Sequence, residues 1–408
     1  MTKINKPTES FDWKAFQAEA LQRLSNGEEL GGADGILTPL IKRLLEASLD
    51  GEMQAHVNKN RPNRRNGTTG KTVKTSHGPL DVEIPRDRDG SFNSELLPKR
   101  RNTLGDGLDN KILALYGLGM SYSDIRAHLA EMYGLNVSEA TLSAITDKVV
   151  DELAEWQNRQ LDPVYPFVWL DALHYKVRHE GRVLSRAIYT VLAMRMDGRK
   201  ELLGLFISEA EGARFWLGVL SELQQRGVED ILVASIDNLS GFAEAIETIF
   251  PQTDVQLCLV HQMRNSLRYV VHSDYKSVTK MLKAIYRAPS RELAQQAFDQ
   301  FSAEWGKKYP LIVRSWTDNW DRLTRMYDYP APIRKVIYTT NPVEGVHRQF
   351  RKVTKTKGAF VNDQALVKLL YLAYKRISAK WTAPTHNWGL ALQQLYLIFP
   401  DRLGEDNL

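Results

Sequence analysis

The chain has 408 residues, 43% of them apolar, enough for two or three cores and too many for one. Its single cysteine, Cys258, excludes an internal disulfide framework and any multi-cysteine zinc site, and fits a reducing compartment. No stretch reaches the roughly eighteen uninterrupted apolar residues of a membrane helix, and the start MTKINKPTESFDWK lacks an apolar signal core, so a cytoplasmic location without a membrane partner is expected.

A net charge of +5 and a pI near 9.0 point only weakly to nucleic acid. The distribution says more. Basic residues gather at Lys59 to Lys74, at Lys99 to Arg101 and at Arg348 to Lys357, each run nearly free of acids. A single run of this kind is usually a solvated face, whereas three together suggest a polyanionic partner.

In chain order, helical spacing predicts one or two helices over 37–57. The alternating segments TVKTS and LDVEIP, separated by His77-Gly78-Pro79, then predict a β-hairpin with basic flanks. In SYSDIRAHLAEMYGLNVSEATLSAITDKVVDEL, Ser121 with Asp124 and Ser138 with Thr141 mark two helix starts around a turn at Gly134. This is a helix-turn-helix, or an ordinary helical hairpin with the same pattern. Leu142, Ile145, Val149 and Leu153 are expected to line the buried face of its second helix, leaving Ser143 and Lys148 on the outer face as candidate DNA contacts.

After LDPVYP the texture changes to strands. FVWLDAL, RAIYTVLAMRM and ELLGLFISE, then a helix at 213–226, strand ILVASID, helix GFAEAIETIF and strand VQLCLV give the order β-β-β-α-β-α-β. That order is the one found in the ribonuclease H-like fold. The expected architecture is therefore α/β: a mixed sheet flanked by helices, with an all-helical insertion at about 264–335. The expected domains are an N-terminal helical and hairpin region (1–105), a helix-turn-helix domain (106–160) and a catalytic domain (161–408).

Asp171 is expected at the end of the first strand of this unit and Asp237 at the end of the fourth, where open α/β sheets carry their chemistry. Glu344 opens a helix, with Asn341 as candidate N-cap and Pro342 in the first position. Each acid alone has a structural explanation, as turn residue or cap. Together, two strand-end aspartates and a helix-start glutamate can supply oxygen ligands for two Mg²⁺ ions, with Mn²⁺ as a substitute, in an in-line phosphoryl displacement. Glu344, Arg348, Arg351 and Lys355 follow helical steps, and with Lys352 they form a basic track suited to DNA phosphates.

The motifs WLDALHYKVR, IDNLSGF, CLVHQMRN and TTNPVEGVHRQFRKVTKTKGAF, with GMSYSDIRAHL and NWGLALQQL, resemble the Mutator-like insertion-sequence transposases, bacterial relatives of the plant Mutator elements. The likeness runs over most of the chain. It implies that Asp171, Asp237 and Glu344 form the DDE triad of a ribonuclease H-like transposase, and that Cys258 and His261, a C-x-x-H pair, support the site without holding a metal of their own. It further implies binding to the inverted-repeat ends of an insertion sequence, cleavage and strand transfer, commonly through a circular intermediate. Double-stranded DNA, at the terminal repeats and at the target, is the expected partner, with the chain acting as a homodimer. Two positions depart from the family pattern: Asn238 follows Asp237 where glycine is commoner, and His347 stands where asparagine usually precedes the arginine.

Two other readings compete. His261 and Arg264 give an H-x-x-R with Tyr286 downstream, as in a metal-independent tyrosine recombinase, but that leaves the strand-end aspartates without a role. The other is a DNA-binding regulator that has lost catalysis. Trp305, Trp316 and Trp320 in the insertion are expected to pack its core rather than stack on bases.

Overall fold

The computed structural model describes residues 12–30, 34–75, 78–99, 107–208, 212–338 and 342–403. The chain divides into two compact units, Met1–Lys148 and Val149–Leu408.

The first unit contains α1 (Trp13–Ser25), α2 (Thr38–Lys59), β1 (Arg65–Thr75), β2 (Gly78–Asp87), α3 (Gly107–Gly117), α4 (Tyr122–Tyr133) and α5 (Glu139–Asp147). Leu45, Leu49 and Met53 recur every four residues on α2 and are buried. Leu45 and Leu49 pack with Val73, Leu80 and Val82 of the antiparallel hairpin β1–β2 and with Leu97. The hairpin expected from the alternation is present, although His77 lies outside the described residues.

Asp87 ends β2 almost fully buried. It accepts hydrogen bonds from Asn63 Nδ2 (2.7 Å), Ser91 Oγ (2.7 Å), Ser91 N (3.1 Å) and Phe92 N (3.1 Å). Burial alone would raise its pKa, but these donors outweigh it and hold the carboxyl well below the usual carboxylate range.

Both expected helix starts are capped in α4 and α5. Ser121 and Asp124 form a reciprocal capping box, Gly134 takes the left-handed conformation (φ 61°) that closes α4, and Ser138 Oγ accepts from Thr141 N. The second helix is shorter than its apolar pattern predicts. Lys148 N bonds Ile145 O, three residues back, so α5 ends at Asp147. Val149 and Leu153 therefore belong to α6 (Val149–Asn158), in the second unit.

The second unit continues with β3 (Val164–His179), β4 (Arg182–Met194), β5 (Lys200–Ser208), α7 (Ala213–Gln225), β6 (Asp230–Ile236), α8 (Phe242–Ile249), β7 (Asp254–Leu257) and α9 (Leu259–Leu267). Next come α10 (Tyr275–Arg287), α11 (Arg291–Trp305), α12 (Pro310–Asp318), α13 (Trp320–Thr324) and α14 (Ala331–Tyr338). The closing helices are α15 (Pro342–Thr354), α16 (Asp363–Ser378), α17 (Trp388–Ile398) and α18 (Pro400–Leu403).

Its five-stranded mixed sheet has the order β5-β4-β3-β6-β7. The first three strands form an antiparallel meander, and β6 and β7 add in parallel beyond β3. A parallel edge needs crossovers, which α7 and α8 provide. Trp216 of α7 stacks on Phe242 of α8 (3.6 Å between centroids) and meets Tyr189 of β4 edge-on, while Phe167, on the opposite face of the sheet by strand alternation, packs against Trp388 of α17. Helices on both faces explain why most of β3 is apolar rather than alternating.

The expected element order is thus present, with two corrections. β3 runs on to His179, so Asp171 is inside a strand rather than at its end. The run VQLCLV is a strand only to Leu257; Cys258 caps α9, and a short apolar run does not by itself separate a strand from a helix start. In the helical segment that follows, Val278, Leu282, Phe298, Phe301 and Trp316 are buried. Trp316 Nε1 donates to Ser266 Oγ (2.9 Å), Trp320 stacks on Phe298 and Trp305 donates to Met281 Sδ, so the three tryptophans pack as expected. No helix among the described residues is long and apolar enough to cross a membrane.

Asp87 provides a test of the first unit. Its depressed pKa means its stabilisation is complete above the ordinary aspartate pKa and is lost as pH falls through the native value. Asp87→Asn is expected to cost about 1–3 kcal/mol at pH 7 and to flatten the acid-induced loss below about pH 4, as read by urea unfolding of both proteins across pH.

Candidate active site

The parallel register builds the site. Leu170 of β3 pairs with Ile236 of β6, and Ile236 pairs with Leu257 of β7. One residue further on, the three neighbouring chains carry Asp171, Asp237 and Cys258. Cys258 N still bonds Ile236 O (2.8 Å), which holds the cysteine beside Asp237. Asp171 lies where β3 loses its parallel partner while its pairing with β4 continues, so it is fixed on a paired strand at the mouth of the β3–β6 edge.

The turn after Asp237 is set by Gly241, whose φ of +75° favours glycine and whose Cβ, if present, would lie 2.7 Å from Ala213 Cβ. Two helices then bring side chains over the row. From the first turn of α9, His261 sets Nδ1 in contact with an Asp237 oxygen and Nε2 3.7 Å from Asp171 Oδ1. Both facing atoms are sealed from solvent, and Cys258 also interacts with the His261 ring. From α15, the almost fully buried His347 places Nδ1 3.3 Å from Asp171 Oδ2. Glu344 is three residues earlier on α15, on the same helix face, and its Oε1 lies 3.3 Å from Arg264 Nη2 of α9.

The electrostatics follow from this packing. Burial raises the Asp171 carboxyl, but His347 and His261 overcome it and the net shift is downward. Burial and the neighbouring Asp171 charge keep Asp237 above the ordinary carboxylate range despite His261. Burial would lower His261, yet Asp237 and Cys258 push it up to about 10. A raised imidazole thus stands between two crowded carboxyl groups whose pKa values are pushed in opposite directions. Such crowding suits a bound cation, and the carboxylate oxygens are donors of the kind that hard divalent ions take.

Of the candidate residues, Asp171, Asp237, Cys258 and His261 form one cluster, and Glu344 joins it through Arg264 and through the helix it shares with His347. Arg348, Arg351 and Lys352 are exposed on α15, while Lys355 is exposed just past its end, so the track continues beyond the helix. Asn341, the candidate cap, lies outside the described residues. Ser143 is half-buried, with Oγ 3.3 Å from Asp147 Oδ2, and Lys148 is tied to the buried Asp109. Sequence reasoning assigned no role to His347 or to the Arg264–Glu344 pair. The available signal was spacing: Glu344 and His347, like His261 and Arg264, are three apart on one helix face.

Comparison with known proteins identifies the family. Residues 13–384 match the family described as "Transposase, Mutator family". The chain is 41% identical over 397 residues to the transposase for insertion sequence element ISRM3 of Rhizobium meliloti, covering 95% of this chain and 99% of that one. It is 31% identical over 392 residues to the transposase for IS905 of Lactococcus lactis (94% and 99% covered), and 27% identical over 353 residues to the transposase for IS256 in transposon Tn4001 of Staphylococcus aureus (85% and 90% covered). The chain is an insertion-sequence transposase, an enzyme of DNA cleavage and strand transfer. It belongs to the Mutator family, which leaves the tyrosine-recombinase reading of His261, Arg264 and Tyr286 without support.

The tie between Lys148 and Asp109 yields a prediction. Lys148→Met should strand a buried carboxylate and destabilise the first unit by about 1–3 kcal/mol, measured by chemical denaturation. Unchanged stability would show that the ammonium is free for other work.

Proposed function

We propose that this transposase binds the inverted-repeat ends of its element and cleaves and joins DNA through a DDE triad, Asp171, Asp237 and Glu344, on a ribonuclease H-like sheet. The observation that carries the reading is the β3–β6 register, which sets Asp171 and Asp237 side by side while His347, on the helix of Glu344, touches Asp171. The strand order β5-β4-β3-β6-β7, with three antiparallel strands followed by two parallel ones, supports the fold assignment.

Asp171, Asp237 and Glu344 would hold Mg²⁺, or Mn²⁺ in its place. When bound, a pair of such ions stabilises the attacking and leaving oxygens of an in-line phosphoryl displacement. The chain does the rest. Asp171 is held by His347 and by Ala172 N (2.7 Å), so it enters the reaction oriented. Arg264 guards Glu344 and would be freed for a DNA phosphate once the carboxylate turns to its ligand role. Arg348, Arg351, Lys352 and Lys355 grip the backbone without reading bases. The α4–α5 pair reads the terminal repeats, with Ser143 and Lys148 at its outer edge, and two copies act together, one at each end.

Glu344→Gln separates a ligand from a helix cap. A capping interaction accepts glutamine, whereas a hard cation needs the negative charge. The exposed Arg264–Glu344 pair contributes at most about 1 kcal/mol. The variant should therefore keep its melting temperature and terminal-repeat binding while its Mg²⁺-dependent cleavage falls at least about 100-fold, since even an outer-sphere partner of a metal is worth up to that much. Wild-type cleavage by this variant would remove Glu344 from the site. End binding by the wild-type chain with no chelator-sensitive nicking would favour the DNA-binding regulator.

The basic track has its own readout. Neutralising Arg348, Arg351, Lys352 and Lys355 should lower the slope of log affinity against log salt by about 0.9 for each lost phosphate contact. An unaltered slope would return these side chains to solvent.

A further inference from the structure

Asp171, Asp237 and Cys258 stand one step beyond paired residues on three neighbouring strands, which lie roughly 4.8 Å apart in any sheet. The row is chemically lopsided. Its β3–β6 side offers two carboxylates. Its β6–β7 side offers a carboxylate, a thiol and, from the first turn of α9, an imidazole. Ligand atoms of Asp237, Cys258 and His261 all lie within 4.8 Å of one another. Around a tetrahedral zinc ion, neighbouring ligand atoms sit roughly 3.5 Å apart, so modest side-chain rotations close the trio on one ion. The facing Asp237 and His261 atoms are shielded from solvent, and an ion entering the trio would replace the contacts that His261 makes with Asp237 and Cys258.

We propose that Asp237, Cys258 and His261 form a second metal site, selective for a soft or borderline divalent ion of the Zn²⁺ class, and that it competes with the hard-ion site for Asp237. Thiolate and imidazole ligands favour zinc over magnesium, whereas paired carboxylates alone suit magnesium. On binding, the thiol and the imidazolium release their protons to solvent and water fills the fourth position. An ion held there draws Asp237 away from Asp171. The same row of three strands thus selects between an ion that supports cleavage and one that blocks it. The trio stands on its own geometry, and only the competition rests on the function proposed above.

Cys258 is the only cysteine in the chain, so any thiolate-to-metal signal must come from it. Cobalt(II) titrated into the full-length protein in excess Mg²⁺ should give the near-ultraviolet thiolate-to-cobalt band and the intense visible bands of tetrahedral coordination. Zn²⁺ should bleach both stoichiometrically. Cys258→Ser should abolish the ultraviolet band and weaken Zn²⁺ binding more than about 100-fold, beyond the loss of an outer-sphere partner. Asp171→Asn should keep the cobalt spectrum while weakening Mn²⁺ binding followed by electron paramagnetic resonance. No thiolate band in the wild-type protein, or Zn²⁺ affinity unchanged in Cys258→Ser, would overturn the site. If the band is present but Asp171→Asn leaves Mn²⁺ binding intact, the soft-ion site stands and the carboxylate reading fails. If Zn²⁺ binds without lowering Mn²⁺ occupancy, the competition for Asp237 is overturned.

Discussion

The site depends on the parallel register that aligns Leu170, Ile236 and Leu257 across three strands. A slip of one residue would turn Asp171 to the other face of the sheet and replace Asp237 with Ile236 or Asn238. What favours this register is the buried apolar run on each strand, because β3, β6 and β7 pack side chains on both faces and a shifted alignment would disturb that packing. The functional groups occupy the first positions where that apolar demand ends. Stability and chemistry are therefore adjacent along each strand without competing for the same residue.

Much of this was legible in the sequence. The order of strands and helices follows from periodicity and turn residues, and the capping box at Ser121 and the N-cap at Ser138 mark real helix starts. What escaped depends on partners distant in the chain. Asp171 read as a strand end because FVWLDAL loses its continuous apolar character there, yet β4 keeps pairing with β3 to His179 along a segment that alternates buried Leu173 and Val177 with more exposed residues. Cys258 read as strand because an apolar run of a few residues looks the same at a strand end and at the start of a buried helix. Lys148 is exposed as the sequence suggested, and only the fold of α3 reveals that its ammonium also meets the buried carboxylate of Asp109.

The two histidines show how position changes the meaning of one residue type. His261 sits between two aspartates and is pushed up to about 10, so it supplies positive charge where two carboxylates crowd together. His347 comes from a different helix, is almost wholly enclosed and sets Nδ1 against Oδ2 of Asp171, while its second nitrogen is buried without a hydrogen-bond partner among the described residues. The first balances charge and the second sets orientation. Because His347 shares a helix face with Glu344, whatever fixes its ring against Asp171 also fixes the place of the third carboxylate.

That coupling explains why a helix, rather than a fourth strand, carries Glu344. α15 buries Val343, Val346, His347, Phe350 and Val353 along one side and exposes Arg348, Arg351 and Lys352 along the other. A single rigid rod thus holds an acid at the start, an orienting imidazole one turn later and cations on its outer surface. The positive end of the helix dipole lies at Glu344, in the first turn of α15, where a negative side chain is favourably placed. A strand would alternate these groups between two faces, placing the cations behind the sheet that the acid serves. The helical repeat keeps them within a turn or two of one another, so under the proposed function DNA held by the arginines would lie beside the carboxylates.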